Sequence, residues 1–340
     1  MCAKKLAVVA AIVASAALAA PAAARQSPLP PGACVTDGAA GLPYDVGVNC
    51  RTVEHDGIDR RYVVYIPRRR PVTGDRAPVV MMFHGSSGTG EKFLRISGWR
   101  EQADRTGLIA VFPTGLRYRV LESGRRTTKW NDFGLPAAVD LEERPPGYPE
   151  DSPMPADDVG FVDAIMADLD ARLPVDRHRV YASGFSNGAG FAARLSIERS
   201  TRIAAVGYSG SGLPEAQDAP DRAVPTYATL GTRDDRVLED TGLTALPLNP
   251  VEILTSPVLG PFIDLNLATF GLDEDRFGAI ARRRFTTLRW PATGAGPGGA
   301  VFQFGMLGGL RHRFPNGGNN RAGFEAAPEF WEFFENHPLP

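Results

Sequence analysis

The sequence predicts an α/β fold, with a mostly parallel central sheet flanked by helices, because short and continuously apolar runs alternate with helical patterns along most of the chain. "APVVMMFHG" (Ala77 to Gly85) and "GLIAVFP" (Gly107 to Pro113) show no polar alternation, so they read as strands buried on both faces. "RRYVVYIP" (Arg60 to Pro67) precedes them as a further strand. From Asp157 to Leu173, apolar residues at Phe161, Val162, Ile165, Met166, Leu169 and Leu173 follow an Asp cap and define one face of a helix. "RVYASG", "IAAVGYSG" and "TYATLGT" then supply three more strands, "AVFQFGML" gives a late apolar run, and "FEAAPEFWEFFENH" closes the chain as an aromatic-rich helix. Two stretches break the repeat: Leu116 to Ala156, rich in Pro, Gly and charge, and Val237 to Phe285, apolar with several prolines. Each reads as a substrate loop or lid, the second as a specificity insertion, or else as ordinary surface loop.

The N-terminus reads as a secretory signal over residues 1–24: Lys4 and Lys5, an apolar run from Leu6 to Leu18, then a small-x-small cleavage site at Ala22 and Ala24. That run is too short to span a bilayer, so the expectation is a protein released outside the cytoplasm, extracellular or periplasmic, with no membrane partner. A Pro-, Gly- and Ala-rich leader over residues 25–48 leads into one catalytic domain over residues 49–340, expected as a monomer. Cys2 leaves with the signal, and Cys34 and Cys50 remain as an even pair in an oxidising compartment, which favours a disulfide contributing roughly 3 kcal/mol. A net charge of −2 argues against nucleic acid as a partner. The arginine runs Arg68 to Arg70 and Arg282 to Arg284 lack interleaved aromatics and read as solvated faces. No metal-ligand spacing occurs, and neither a metal nor a cofactor is expected.

Chemistry concentrates in "YASGFSNGAGF" (Tyr181 to Phe191), where Gly184-Phe185-Ser186-Asn187-Gly188 follows G-x-S-x-G. A strand runs into it and a helix with small residues at its start runs out, which is what a strained nucleophile elbow requires. A serine hydroxyl needs a base. Of five histidines, His178 lies at the start of the same strand, roughly 17 Å from the elbow. His84 belongs to an upstream turn, His55 to the polar leader region and His337 to the chain end. His312, in "GGLRHRFPNGG", stands after the last apolar run and before the last helix, where the order nucleophile, acid, base would put it, with a structural loop histidine as the alternative. The acid is expected past a strand end in "TYATLGTRDDRV", and of the adjacent pair Asp234 is preferred over Asp235. Backbone N–H groups of Asn187 and Ser86, the latter in "HGSSGTG", are the expected oxyanion donors.

These segments, together with "ADRTGLIAVFPTG", resemble the secreted polyhydroxybutyrate depolymerase and feruloyl esterase family of α/β-hydrolases from about Cys50 to the C-terminus. The resemblance implies Ser186 as nucleophile, Asp234 as acid and His312 as base, with no cofactor. The family often carries G-H-x-W-P-G, whereas this chain reads "RHRFPNG", which puts Phe314 in the tryptophan place and alters the pocket wall rather than the triad. "TTKWNDF" is similar to a tryptophan-asparagine stretch of the family, so Trp130 either lines the substrate site or packs in the core. The implied activity is that of a secreted serine esterase on polyester, or on feruloyl or acetylxylan esters of plant wall. A serine peptidase on the same fold would cleave amides, and a non-catalytic binding protein would lack a triad member; none is missing here.

Overall fold

The computed structural model describes residues 43–69, 76–239, 241–291 and 301–340. Elements follow in chain order. The first third comprises β1 (Gly47–His55), β2 (Ile58–Ile66), β3 (Ala77–Phe83), α1 (Gly90–Ile96), α2 (Trp99–Thr106) and β4 (Ile109–Pro113). An excursion with β5 (Leu116–Arg119), β6 (Arg126–Lys129) and α3 (Leu135–Ala138) leads to α4 (Asp158–Arg172), β7 (Val175–Phe185), α5 (Asn187–Glu198), β8 (Ala205–Ser209) and β9 (Thr226–Gly231). The remainder is α6 (Asp235–Leu238), α7 (Pro250–Thr255), α8 (Leu259–Phe270), β10 (Gly278–Arg282), β11 (Phe285–Trp290), β12 (Phe302–Leu307) and α9 (Ala326–Glu335).

Ten strands form one sheet in the order β1-β2-β4-β3-β7-β8-β9-β12-β11-β10. The middle six run parallel, and β1, β2, β11 and β10 flank them in antiparallel pairs. Alternation along β3 shows why apolar runs mark the parallel strands. Val79, Met81 and Phe83 enter one core with residues of α4, α5 and α8, while Val80 and Met82 enter the opposite core with residues of α1, α2 and α9. Both faces are therefore covered, and a polar side chain at any of these positions would be buried without solvent.

Helix α4 begins where the sequence predicts, with Asp157 accepting a hydrogen bond from the Gly160 N–H. The leader expected over residues 25–48 overlaps the sheet, since β1 starts at Gly47. Cys50 lies in β1, while Cys2, Cys34 and the signal at residues 1–24 lie outside the described residues.

One expectation for the irregular stretches needs correction. Most of residues 237–285 is scaffold rather than lid: Leu259, Ile263 and Leu267 of α8 are buried in the main core, Phe262 packs against Phe302 and Phe304, and β10 extends the sheet edge. An apolar helix face needs a partner, and here the sheet provides it. The 116–156 excursion carries its own small core of Tyr118, Leu135, Val139, Tyr148 and Ala156, and its middle reaches the carboxyl edge of the sheet beside the elbow.

Candidate active site

The chain passes from β7 to α5 through a turn so tight that Ser186 adopts φ 53° and ψ −126°. A non-glycine residue in that region is strained and is held there by its surroundings. Neighbouring glycines make the turn sterically feasible: a Cβ on Gly184 would run into the Gly188 carbonyl, and a Cβ on Gly188 into the carbonyls of Phe83 and His84. The Ser186 N–H is tied to Ser209 O at 2.9 Å, which fixes the turn to β8.

Ser186 Oγ lies 2.8 Å from His312 Nε2, and His312 Nδ1 lies 2.9 and 3.0 Å from the two carboxylate oxygens of Asp234. Because a carboxylate only accepts, Nδ1 carries the proton and Nε2 is left to accept from the serine hydroxyl. Asp234 is buried and caps α6, its Oδ1 also accepting from the N–H groups of Arg236 and Val237. Asp235 plays a different part: its exposed carboxylate accepts the backbone N–H of His312 at 3.2 Å, which holds its pKa below the usual range. The two adjacent acids thus hold the same histidine, one through its ring and one through its backbone. Phe185 lies against the imidazole at 5.0 Å.

The turn after β3 brings Gly85 against the elbow, where an added Cβ would sit 3.1 Å from Ser186 Cβ. The next residue is Ser86, and neither its N–H nor that of Asn187 donates to any protein acceptor among the described residues. Two free N–H groups beside the hydroxyl are what a developing oxyanion needs. His84 stabilises this turn from within the core. It donates from Nδ1 to Gly85 O at 2.8 Å and accepts at Nε2 from Gly115 N–H at 3.0 Å, and burial pushes its pKa down to about 4.

Trp130 is a correction. It has no exposed surface, stacks on Phe191 and meets Phe83 edge-on, so it cannot line a substrate pocket. Its backbone instead clamps the Asn187 side chain, with N–H to Oδ1 at 2.7 Å and Nδ2 to O at 3.0 Å, and Asn187 Nδ2 also donates to Asp132 at 2.8 Å. Its indole N–H donates to His84 O at 3.0 Å. One residue therefore grips both arms that carry the free N–H groups. Phe314 is likewise buried, edge-on to Phe93 and Phe185, and backs the imidazole through Phe185 rather than forming the pocket wall.

The clamp uses main-chain atoms of Trp130 and a side chain that G-x-S-x-G leaves free, so the motif gives no sign of it. Lys129, the residue before the clamp, donates to Ser86 Oγ at 3.2 Å, and burial lowers its pKa. The other histidines stand apart from the serine: His178 against the C-terminal Leu339 and Pro340, His55 against Asp157, His337 against Phe333. No group of three His, Cys, Asp or Glu side chains suited to hold a metal occurs among the described residues.

A doubly covered, centrally parallel sheet with this elbow at its carboxyl edge defines an α/β-hydrolase fold. Residues 60–238 match the family described as "Esterase PHB depolymerase", and the chain belongs to that family. The matched segment includes Ser86, Ser186 and Asp234 and stops before His312. The chain is 27% identical over 215 residues to "Putative esterase NocK" of Nocardia uniformis subsp. tsuyamanensis, covering 63% of this chain and 56% of that one. It is 27% identical over 191 residues to "Feruloyl esterase B" of Piromyces equi, covering 54% and 31%. The matched regions span about half the length of these relatives or less. Among solved structures, the acetyl xylan esterase from Aspergillus awamori is similar with a TM-score of 0.53 and 14% identity, over 85% of this chain and 99% of that one. An S-formylglutathione hydrolase from Agrobacterium tumefaciens is similar at 0.51 and 14%, over 86% and 95%. At that identity the likeness is one of fold.

Proposed function

We propose that this esterase works through an acyl-enzyme on Ser186 and acts outside the cytoplasm, as a monomer, on a hydroxyalkanoate polyester. The observation that carries the mechanism is the continuous hydrogen-bonded line from Ser186 Oγ through the His312 ring to Asp234 on a strained elbow. Ser186 Oγ attacks the ester carbonyl carbon as its proton passes to Nε2. The carbonyl oxygen takes the negative charge and turns to the N–H groups of Ser86 and Asn187, each such donor being worth about 3 kcal/mol. Collapse expels the alcohol, which leaves with the proton from Nε2. Water then repeats the sequence on the acyl-enzyme, giving the acid and restoring Ser186. Asp234 keeps the ring in the required tautomer and stabilises its positive charge.

The family match supports polyester as substrate. A second reading, a feruloyl or acetylxylan esterase on plant-wall esters, is supported by the relative named feruloyl esterase. Release of soluble hydroxy acid from amorphous poly(3-hydroxybutyrate), with the Ser186→Ala protein subtracted and a nitrophenyl ester as control, separates the two. Ser186-dependent release supports the depolymerase; activity confined to the small ester and to feruloyl or acetyl sugars supports the second reading.

A further inference from the structure

At the same edge of the sheet as the triad lies a pocket of about 470 Å³ whose lining includes four arginines, Arg233, Arg283, Arg284 and Arg321, beside Thr232 and an apolar side formed by Leu246 and Leu248. Its floor is fixed: Gly309 N–H donates to Thr232 Oγ1 at 2.8 Å, Arg233 N–H to Leu310 O at 2.9 Å, and Arg321 N–H to Gly308 O at 2.9 Å. Two of the loops that form it, those after β9 and β12, also carry Asp234 and His312, while Arg283 and Arg284 come from the turn between β10 and β11. Because Thr232 and Gly308 end β9 and β12, two and three strands from β7, the pocket opens roughly 10–15 Å from Ser186.

Its lining is strongly basic, and all four arginines are exposed. None of the four pocket arginines has a carboxylate within ion-pair distance among the described residues, although the protein's formal net charge is −2. Four exposed like charges around one concavity give it a positive potential that attracts an anion. Planar guanidinium groups suit oxygen anions that accept two hydrogen bonds at once.

We propose that this pocket is a carboxylate subsite, which holds an acidic group carried on an extended ester substrate while the ester bond lies at Ser186. The inference rests on the esterase reading above and adds to it the class of substrate. In a chain of hydroxy acids the free carboxylate lies on the alcohol side of every ester bond, so the pocket holds the leaving fragment. An acidic glycan would present the same chemistry through its uronates.

Binding to the Ser186→Ala protein tests the site without turnover. Calorimetry compares a 3-hydroxybutyrate tetramer with a free carboxylate, the same tetramer capped as its methyl ester, an oligogalacturonate and inorganic phosphate. The free tetramer should bind about tenfold or more tightly than the capped one, the difference should shrink with added salt, and Arg284→Gln/Arg321→Gln should abolish it. Tighter binding of oligogalacturonate than of the tetramer keeps the carboxylate site and assigns it to a glycan. Equal binding of free and capped tetramers together with no binding of oligogalacturonate, a preference that survives the arginine substitutions, or phosphate bound more tightly than either acid would overturn the proposal. In the active enzyme the same arginine variant should keep kcat/KM on p-nitrophenyl acetate within about twofold, since none of these residues touches the triad side chains. A protein inactive on that ester even with its arginines intact would refute the esterase mechanism and leave the binding result standing.

Discussion

Replacing Asn187 by Ala keeps the backbone N–H proposed to meet the oxyanion and removes only the side chain that holds it. Asn187 is buried and makes three hydrogen bonds, two to the Trp130 backbone at 2.7 and 3.0 Å and one to Asp132 at 2.8 Å. A neutral bond of this kind contributes about 1 kcal/mol, and one to a charged partner about 1.5 to 3. Asp132 is half-buried and its pKa is raised by burial, an effect the Asn187 amide donor counteracts, and solvent offsets part of the loss. The expected destabilisation is about 2–4 kcal/mol, read as the shift in urea midpoint at constant slope. Losing the clamp should also reduce kcat on a nitrophenyl ester by about tenfold or more with little change in KM, because the misplaced N–H acts on the oxyanion and not on bound substrate. A variant with stability within about 0.5 kcal/mol of wild type and unchanged kcat would refute the clamp.

Three further outcomes follow from the geometry. His84 is neutral in the folded state at about pH 4 and above, whereas the unfolded chain takes up a proton near pH 6.5, so its contribution of about 3 kcal/mol is lost as the pH falls from 6.5 towards 4. His337, also lowered by burial, adds a loss of the same sign. Urea midpoints measured between pH 7 and 4.5 should fall steeply in wild type and less steeply in His84→Gln, and equal slopes would contradict the assignment. Asp234→Asn should cost about 10⁴-fold in kcat through the wrong imidazole tautomer, while Asp235→Asn, which only removes the charge from an acceptor of the His312 backbone N–H, should cost less than about tenfold.

The parallel centre of the sheet and the hydrogen-bonded line of Ser186, His312 and Asp234 were legible in the sequence for the same reason: each is under a severe local constraint. A strand buried on both faces, such as β3, must be apolar throughout, and an elbow that crosses its neighbours so closely must have Gly184 and Gly188. The two edge strands, β1 and β10, escape notice because burial asks less of them. Residues of β10 are all exposed and those of β1 mostly half-buried, so neither shows a clear period. Within the site, Trp130 stood out by its residue type but was open to two readings, since its indole packs in the core while its backbone serves the oxyanion arm. Hydrogen bonds made by main-chain atoms leave no mark on residue identity. Of the basic pocket's arginines only Arg283 and Arg284 stood out, as part of the run Arg282 to Arg284, because Arg233 joins them through the pairing of β9 with β12, strands distant in sequence.

The most direct test of the central claim is kcat/KM of the Ser186→Ala protein on p-nitrophenyl acetate, alongside a circular dichroism spectrum to establish that the fold is retained. Attack by Ser186 predicts a fall of about 10³-fold or more, leaving only what the free N–H groups and binding provide. A correctly folded variant within about tenfold of wild type would contradict the mechanism outright and would move the chemistry to another group.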